Sequence, residues 1–187
     1  LHAKALFGLE VILPKDSKAT HEDYATVYFY KGMAILLLSE NFSAFPLQEN
    51  GGMIKAKDAL QIGVDHFKKS IELNGSTENT TKCAYALARA YRQLGDKVNA
   101  ERYANEALSL DGQYLLLTEY DDVNLDNIIN TFTVTRNLHD LQPLPRLDYL
   151  DPKYTTQITS IPALKSEEAY LILAEIAIVN NNLSTAK

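Results

Sequence analysis

Tyrosine, arginine and aspartate side chains between residues 111 and 161 form the group in this sequence best suited to bind a ligand. Tyrosine rings offer flat apolar faces, while guanidinium and carboxylate groups offer planar sets of hydrogen-bonding atoms, and a sugar or peptide surface needs both. The predicted ligand-binding residues are Tyr120, Arg146, Tyr149 and Tyr154, with Tyr114, Asp148 and Asp151 nearby. An alternative role for the tyrosines is to anchor this stretch to neighbouring helices, with the ring over a core edge and the hydroxyl in water.

The sequence carries none of the common enzyme motifs, such as a Gly-x-Ser-x-Gly elbow, a His-Glu-x-x-His pair, a phosphate loop or a dinucleotide fingerprint. Asp121 and Asp122 are adjacent, so in an extended loop they would point to opposite sides, and we predict a solvated turn. The histidines lack the spacing of metal ligands; they are His2, His21, His66 and His139. We therefore predict no catalytic residue, no metal site, no cofactor and no enzymatic activity.

Charge and composition narrow the choice of partners. The chain has 24 acidic and 18 basic residues, and the basic residues do not cluster, which argues against nucleic acid. No apolar run approaches the roughly 20 residues of a membrane-spanning helix. The single cysteine, Cys83, lies beside the apolar face of a predicted helix, so we predict a small buried side chain.

Residues 81–113 have the spacing of one complete tetratricopeptide unit, which is a pair of antiparallel helices. The matching residues are Ala84, Leu87, Ala88 and Tyr91 on the first helix, Gly95 and Asp96 at the turn, and Ala100 and Ala107 on the second helix. Small side chains at these points let two helices approach closely. The helical spacing also predicts that four tyrosines, Tyr85, Tyr91, Tyr103 and Tyr170, pack in the core.

The same phase recurs on both sides of this unit. Gly32 and Gly63 stand where Ala88 and Ala100 stand, so an earlier helix pair is predicted, split by a loop insertion at residues 41–55. The residues Thr20 to Asp23 have the form of a capping box at the start of this pair. A third match places Tyr170, Ala174 and Asn182 at the positions of Ala84, Ala88 and Asp96.

These patterns predict an all-α fold of tetratricopeptide-like helical hairpins with one long irregular insertion. We expect residues 1–187 to be part of a single domain and of a longer protein. The predicted helices cover residues 21–40, 56–74, 81–95, 97–110 and 163–181, and the insertion covers about 111–161.

Three passages resemble the SusD/RagB family of nutrient-binding outer-membrane lipoproteins of the Bacteroidetes. The first is a helix followed by Phe45-Pro46-Leu47, and the second is the central repeat ALARAYRQLGDKVNAERYANEAL. The third is a helix with a Tyr-Leu-x-x-Ala-Glu core, formed by Tyr170-Leu171 and Ala174-Glu175. Their order along the chain also resembles that of the family.

The resemblance implies non-catalytic binding of a nutrient, a glycan or oligosaccharide, at the extracellular face of the cell outer membrane. It implies delivery to a SusC-type TonB-dependent transporter, and membrane contact only through a lipid anchor that this chain lacks. A second hypothesis is a tetratricopeptide scaffold that binds a peptide or protein partner in its groove, with Lys82, Arg89 or Arg92 steering an acidic terminus. These three side chains can equally form a solvated helix face.

Overall fold

The computed structural model describes residues 1–121, 156 and 158–182, and this part of the chain has the predicted all-α fold. The helices are α1 (His2–Phe7), α2 (His21–Asn41), α3 (Ala56–Leu73), α4 (Thr77–Leu94), α5 (Lys97–Leu110) and α6 (Ser166–Val179). The strands are β1 (Ala44–Pro46), β2 (Met53–Lys55), β3 (Leu115–Thr118) and β4 (Ile161–Lys165), in the two-stranded sheets β1-β2 and β3-β4. A π-helical turn at Gly8–Ile12 and a 3-10 turn at Leu13–Lys15 follow α1.

The chain forms two compact units. One contains residues Leu1–Tyr114 and Lys165–Lys187, and the other contains residues Leu115–Leu164. All six helices named above belong to the first unit, whereas β3 and all but the last residue of β4 belong to the second.

Helices α2 and α3 form the first antiparallel hairpin. The predicted capping box is confirmed at its start, because the Thr20 hydroxyl accepts from the Asp23 amide at 3.3 Å and Asp23 accepts from the Thr20 amide at 2.8 Å. At the crossing point, a Cβ added to Gly32 would lie 2.7 Å from the Phe67 ring. The Ser70 hydroxyl closes the far end by donating to the Ala25 carbonyl at 2.7 Å. The missing side chain at position 32 is therefore what lets the two helices touch.

The predicted insertion between these helices, residues 41–55, is a short antiparallel hairpin of β1 and β2 rather than a plain loop. Phe45 pairs with Ile54 across this hairpin and is 5% exposed. Its ring packs with Ile35 of α2 and Ala59 of α3. The aromatic residue of this segment is thus a core residue.

Helices α4 and α5 form the second hairpin. Helix α4 begins at Thr77, earlier than predicted, because the Ser76 hydroxyl caps it by accepting from the Asn79 amide at 3.3 Å. The rings of Tyr91 and Tyr103 stack at 5.5 Å between the helices. Core packing is confirmed for Tyr85, Tyr91 and Tyr103, which are buried, and the predicted burial of Cys83 is also confirmed.

Helix α6 ends in the same turn as α4, which supports a common repeat. After α4, Gly95 has φ 77° and the Asp96 amide donates to the Tyr91 carbonyl at 3.0 Å. After α6, Asn181 has φ 56° and the Asn182 amide donates to the Ala177 carbonyl at 2.8 Å. Both turns use a left-handed residue to end the helix, a conformation that glycine and asparagine tolerate best.

The prediction that Tyr170 packs in the core is wrong, because this residue is 54% exposed. Its repeat equivalent, Ala84, is fully buried in the α4–α5 hairpin. Helix α6 carries further exposed apolar side chains at Leu171, Ile178 and Val179. Helical spacing alone could not distinguish a covered face of the helix from an uncovered one.

Candidate functional site

Most of the predicted ligand-binding group lies outside the described residues. Arg146, Tyr149 and Tyr154 are among these undescribed positions, as are Asp122 and His139. Tyr120 is described and is partly buried. The proposal that these residues form one site stays a prediction.

Tyr114 has the anchoring role that was the alternative for the tyrosines of this stretch. Its ring stacks on that of Tyr85 in α4 at 5.1 Å and an interplanar angle of 9°. Burial raises the pKa of both phenols to about 12. The Tyr85 hydroxyl donates to the Asp111 carbonyl, and the Ser166 amide donates to the Tyr114 carbonyl at 2.9 Å. Residues 114 and 166, which both belong to the helical unit, are therefore held together.

A groove lies between α2 and α4, the first helices of the two hairpins, and α6, whose sequence has the repeat phase of a first helix. It encloses a cavity of about 560 Å³, a volume within the usual range of ligand sites. The lining residues are Glu40 of α2, Arg89, Arg92 and Gln93 of α4, and Glu168, Leu171, Ile172 and Glu175 of α6. We call this the first-helix groove.

Arg89 joins all three helices of the first-helix groove. Its Nε donates to Oε1 of Glu40 at 2.6 Å and its Nη2 donates to Oε2 of the same carboxylate at 2.7 Å. The remaining nitrogen, Nη1, lies 3.4 Å from each carboxylate oxygen of Glu168. The fork of the guanidinium matches a carboxylate in this two-bond geometry, which fixes the orientation of Arg89.

Further polar contacts extend along the groove. The Arg92 Nε donates to Oε2 of Glu175 at 2.8 Å, and the Gln93 amide donates to the Ser39 carbonyl at 2.7 Å. Beyond the groove, the Lys97 ammonium donates to the Asn180 amide oxygen at 2.7 Å. Helix α6 is thus tied to α4 by charged and polar side chains along its length.

The surroundings shift the pKa values of the groove residues in different directions. Burial lowers the pKa of Arg89, but the Glu40 hydrogen bond and the charges of Glu168 and Glu40 together raise it. Burial raises the pKa of Glu168, and the Arg89 charge offsets this only in part. The hydrogen bond from Arg92 lowers the pKa of Glu175. Of Glu168 and Glu175, Glu168 is accordingly the carboxylate whose charged form the surroundings disfavour.

The groove combines polar and apolar groups, as ligand sites do. It offers planar hydrogen-bonding groups beside the aliphatic side chains of Leu171 and Ile172, and its lining includes no serine, cysteine or histidine nucleophile. Cys83 is buried, and burial raises its thiol pKa to about 11, so it is not a reactive thiolate at neutral pH. Among the described residues no group of three His, Cys, Asp or Glu side chains could hold a metal ion.

The sequence analysis named two members of the groove, Arg89 and Arg92, as side chains that would either steer an acidic peptide terminus or form a solvated helix face. Both are paired with glutamates, and the third candidate, Lys82, lies over the Phe29 ring with its Nζ 5.1 Å from the centroid. The glutamates were missed. A partial signal was present, because Glu175 occupies in the third unit the repeat position of Arg89 in the second, and stacked first helices bring such positions close together. In the structure, however, Glu175 pairs with Arg92, and Arg89 pairs with Glu40 and Glu168.

No helix within the described part of the chain is long and apolar enough to cross a membrane. Comparison with protein-family models, with curated proteins and with solved structures gives no match for this chain.

Proposed function

We propose that this protein binds a nutrient, a glycan or oligosaccharide, without catalysis at the outer face of the outer membrane, and delivers it to a SusC-type TonB-dependent transporter. The ligand residues of this proposal are Tyr120, Arg146, Tyr149 and Tyr154. The passages that resemble the SusD/RagB family contain α2 with the Phe45-Pro46-Leu47 step, the α4–α5 hairpin and α6. These elements belong to one helical unit.

The observation that carries the proposal is the closure of the long stretch that contains the ligand residues. Tyr114 and Ser166 flank this stretch and are joined by a backbone hydrogen bond of 2.9 Å. Tyr114 is itself stacked on Tyr85 of the rigid α4–α5 hairpin. A binding segment whose two ends are fixed close together has less conformational entropy to lose when it engages a ligand than one whose ends can move apart.

The test is binding of the purified chain to a panel of soluble polysaccharides and oligosaccharides, measured by isothermal titration calorimetry. We expect saturable binding without hydrolysis, and a loss of about tenfold or more in Tyr149→Ala and in Tyr154→Ala, since each removes a stacking face. Tyr30→Ala is the matched control, because Tyr30 is an exposed tyrosine of α2. Equal affinity in wild type, both variants and the control would refute the assignment of these residues.

A second candidate function, a scaffold for a peptide or protein partner, is favoured by the first-helix groove itself. Its cavity lies between side chains of three successive first helices, a position that repeat scaffolds can use to bind an extended segment. The two functions predict different full-length sequences and different neighbouring genes. A secretion signal ending in a lipidated cysteine in the full-length sequence, beside a gene for a large β-barrel transporter, would support nutrient binding, and a cytoplasmic full-length protein would exclude it.

A further inference from the structure

The first-helix groove has an excess of negative charge. Its lining contains three glutamates, Glu40, Glu168 and Glu175, against two arginines, Arg89 and Arg92, so the formal charge is −1. Both arginines already contact glutamates of the groove. An acidic ligand would bring a fourth carboxylate to two guanidinium groups that are already engaged.

Glu168 is where this excess lies. Its contacts with Arg89 come from the single Nη1 atom and measure 3.4 Å to each oxygen, longer than the usual 2.7–3.2 Å of a hydrogen bond from nitrogen. Arg89 cannot turn toward Glu168 without giving up the shorter pair of bonds to Glu40. The Glu168 side chain is 38% exposed, so a ligand in the groove can reach it.

Apolar side chains flank Glu168 along the groove. Leu171 and Ile172 follow it by one helical turn, and Leu171 is 68% exposed. A second cavity of about 220 Å³ shares Arg92 and Glu175 with the first and is also lined by Lys97, Ile176 and Val179. The cleft between α4 and α6 therefore alternates charged and apolar surface, which an extended peptide with alternating side chains would match.

We propose that the first-helix groove binds a peptide segment whose lysine or arginine side chain pairs with Glu168 while a neighbouring aliphatic side chain packs against Leu171. The proposal rests on the second candidate function and specifies its ligand. It reverses the expected preference for an acidic terminus, because the carboxylates outnumber the guanidinium groups. Opposite charge at the point of contact speeds the association of such a peptide and favours it over peptides that are neutral or acidic at this position.

The test uses three acetylated and amidated peptides, Ala-Leu-Arg-Leu-Ala and its counterparts with Gln or Glu at the centre. Binding to the ¹⁵N-labelled 187-residue chain is followed by amide chemical shifts at low ionic strength. We expect the Arg peptide to shift amides of α4 and α6 around Glu168 and to bind about tenfold more tightly than the Gln peptide, with the Glu peptide weakest. Glu168→Gln should reduce the affinity for the Arg peptide to that for the Gln peptide.

Glu167→Gln is the matched control, because it removes the same charge at the neighbouring position. The Glu167 side chain is 66% exposed. We expect this variant to retain at least half of the affinity for the Arg peptide. An equal loss in the two variants would overturn the proposal, since it would show general attraction to an acidic surface. Equal binding of the Arg and Gln peptides would overturn it too while leaving the peptide scaffold intact, whereas no binding of any of the three would count against both.

Discussion

Gly32 shows how one atom sets the distance between two helices. An added Cβ would lie 2.7–3.0 Å from three atoms of the Phe67 ring, and that ring is fully buried and cannot move aside cheaply. The Gly32→Ala variant gains roughly 1 kcal/mol of helix propensity but suffers overpacking of about 1–3 kcal/mol. We expect a net loss of about 1 kcal/mol in the free energy of unfolding by urea.

Gly52→Ala is the control for this substitution, because no atom lies within 4 Å of the Cβ that it adds. Its free energy of unfolding should stay within roughly 0.5 kcal/mol of the wild-type value, as is usual for surface changes. A Gly32→Ala protein as stable as wild type would show that the α2–α3 contact can open without cost.

His66 makes stability depend on pH. Burial, followed by the charges of Lys31 and His2, lowers its pKa from 6.5 to about 4, although Asp65 acts in the opposite direction. As the pH falls, His66 therefore becomes protonated in the unfolded chain before it does so in the folded chain. The contribution of neutral His66 to the free energy of unfolding is complete above about pH 6.5 and is lost as the pH falls toward 4. His66→Phe keeps a ring against Tyr28, whose centroid lies 5.6 Å from that of His66.

We expect the stability of His66→Phe relative to wild type to increase between pH 7 and pH 5 in urea unfolding curves. His21→Gln, which removes an exposed histidine, is the control for the loss of one titratable group. An identical pH response in the two variants would argue against a lowered pKa of His66 in the folded chain.

At the scale of the helix, the start of α2 depends on Thr20. Its hydroxyl and the Asp23 carboxylate each accept a bond from the other residue's amide. Thr20→Ala leaves the Asp23 amide without this acceptor and should cost about 1 kcal/mol. Ser17→Ala, at an exposed position before the helix, should leave the thermal midpoint nearly unchanged. Equal midpoints for both variants would show that this cap contributes nothing.

Elements of this kind were predictable because their causes are local. The capping box spans four residues, and the repeat pattern predicted α5 with its observed bounds and α3 to within one residue. The start of α4 was missed because the repeat spacing begins at Thr81, whereas the hydroxyl that caps the helix belongs to Ser76. The β1–β2 hairpin was missed because burial of Phe45 depends on Ile35 and Ala59, which come together only when the two flanking helices pack against each other.

The groove was less predictable than the helices. Arg89 and Glu40 are 49 residues apart, and Arg89 and Glu168 are 79 apart, so their pairing follows only from the order in which the hairpins stack. The tyrosine and arginine group between residues 111 and 161 has no helical period that could fix its geometry. The residue types indicated that this group could bind a ligand, but they could not predict how its members are arranged around one.

At the scale of the whole molecule, Arg89 is the point where three successive first helices are joined. Arg89→Ala leaves Glu40 and Glu168, with side chains 26% and 38% exposed, without their shared cation. Loss of one partner from a fully buried pair costs roughly 3–5 kcal/mol, and partial exposure reduces that figure. We expect a loss of about 2 kcal/mol in urea unfolding and faster hydrogen exchange in α6.

The matched variant is Arg92→Ala, which breaks the pair with Glu175, where both side chains are more than half exposed. Such exposed pairs contribute about 0–1 kcal/mol, so this variant should lose much less than Arg89→Ala and should leave exchange in α6 close to that of wild type. If both variants lose the same small amount, α6 is held by its apolar contacts alone. The groove would then be a consequence of helix packing rather than of the ion pairs that Arg89 and Arg92 make across it.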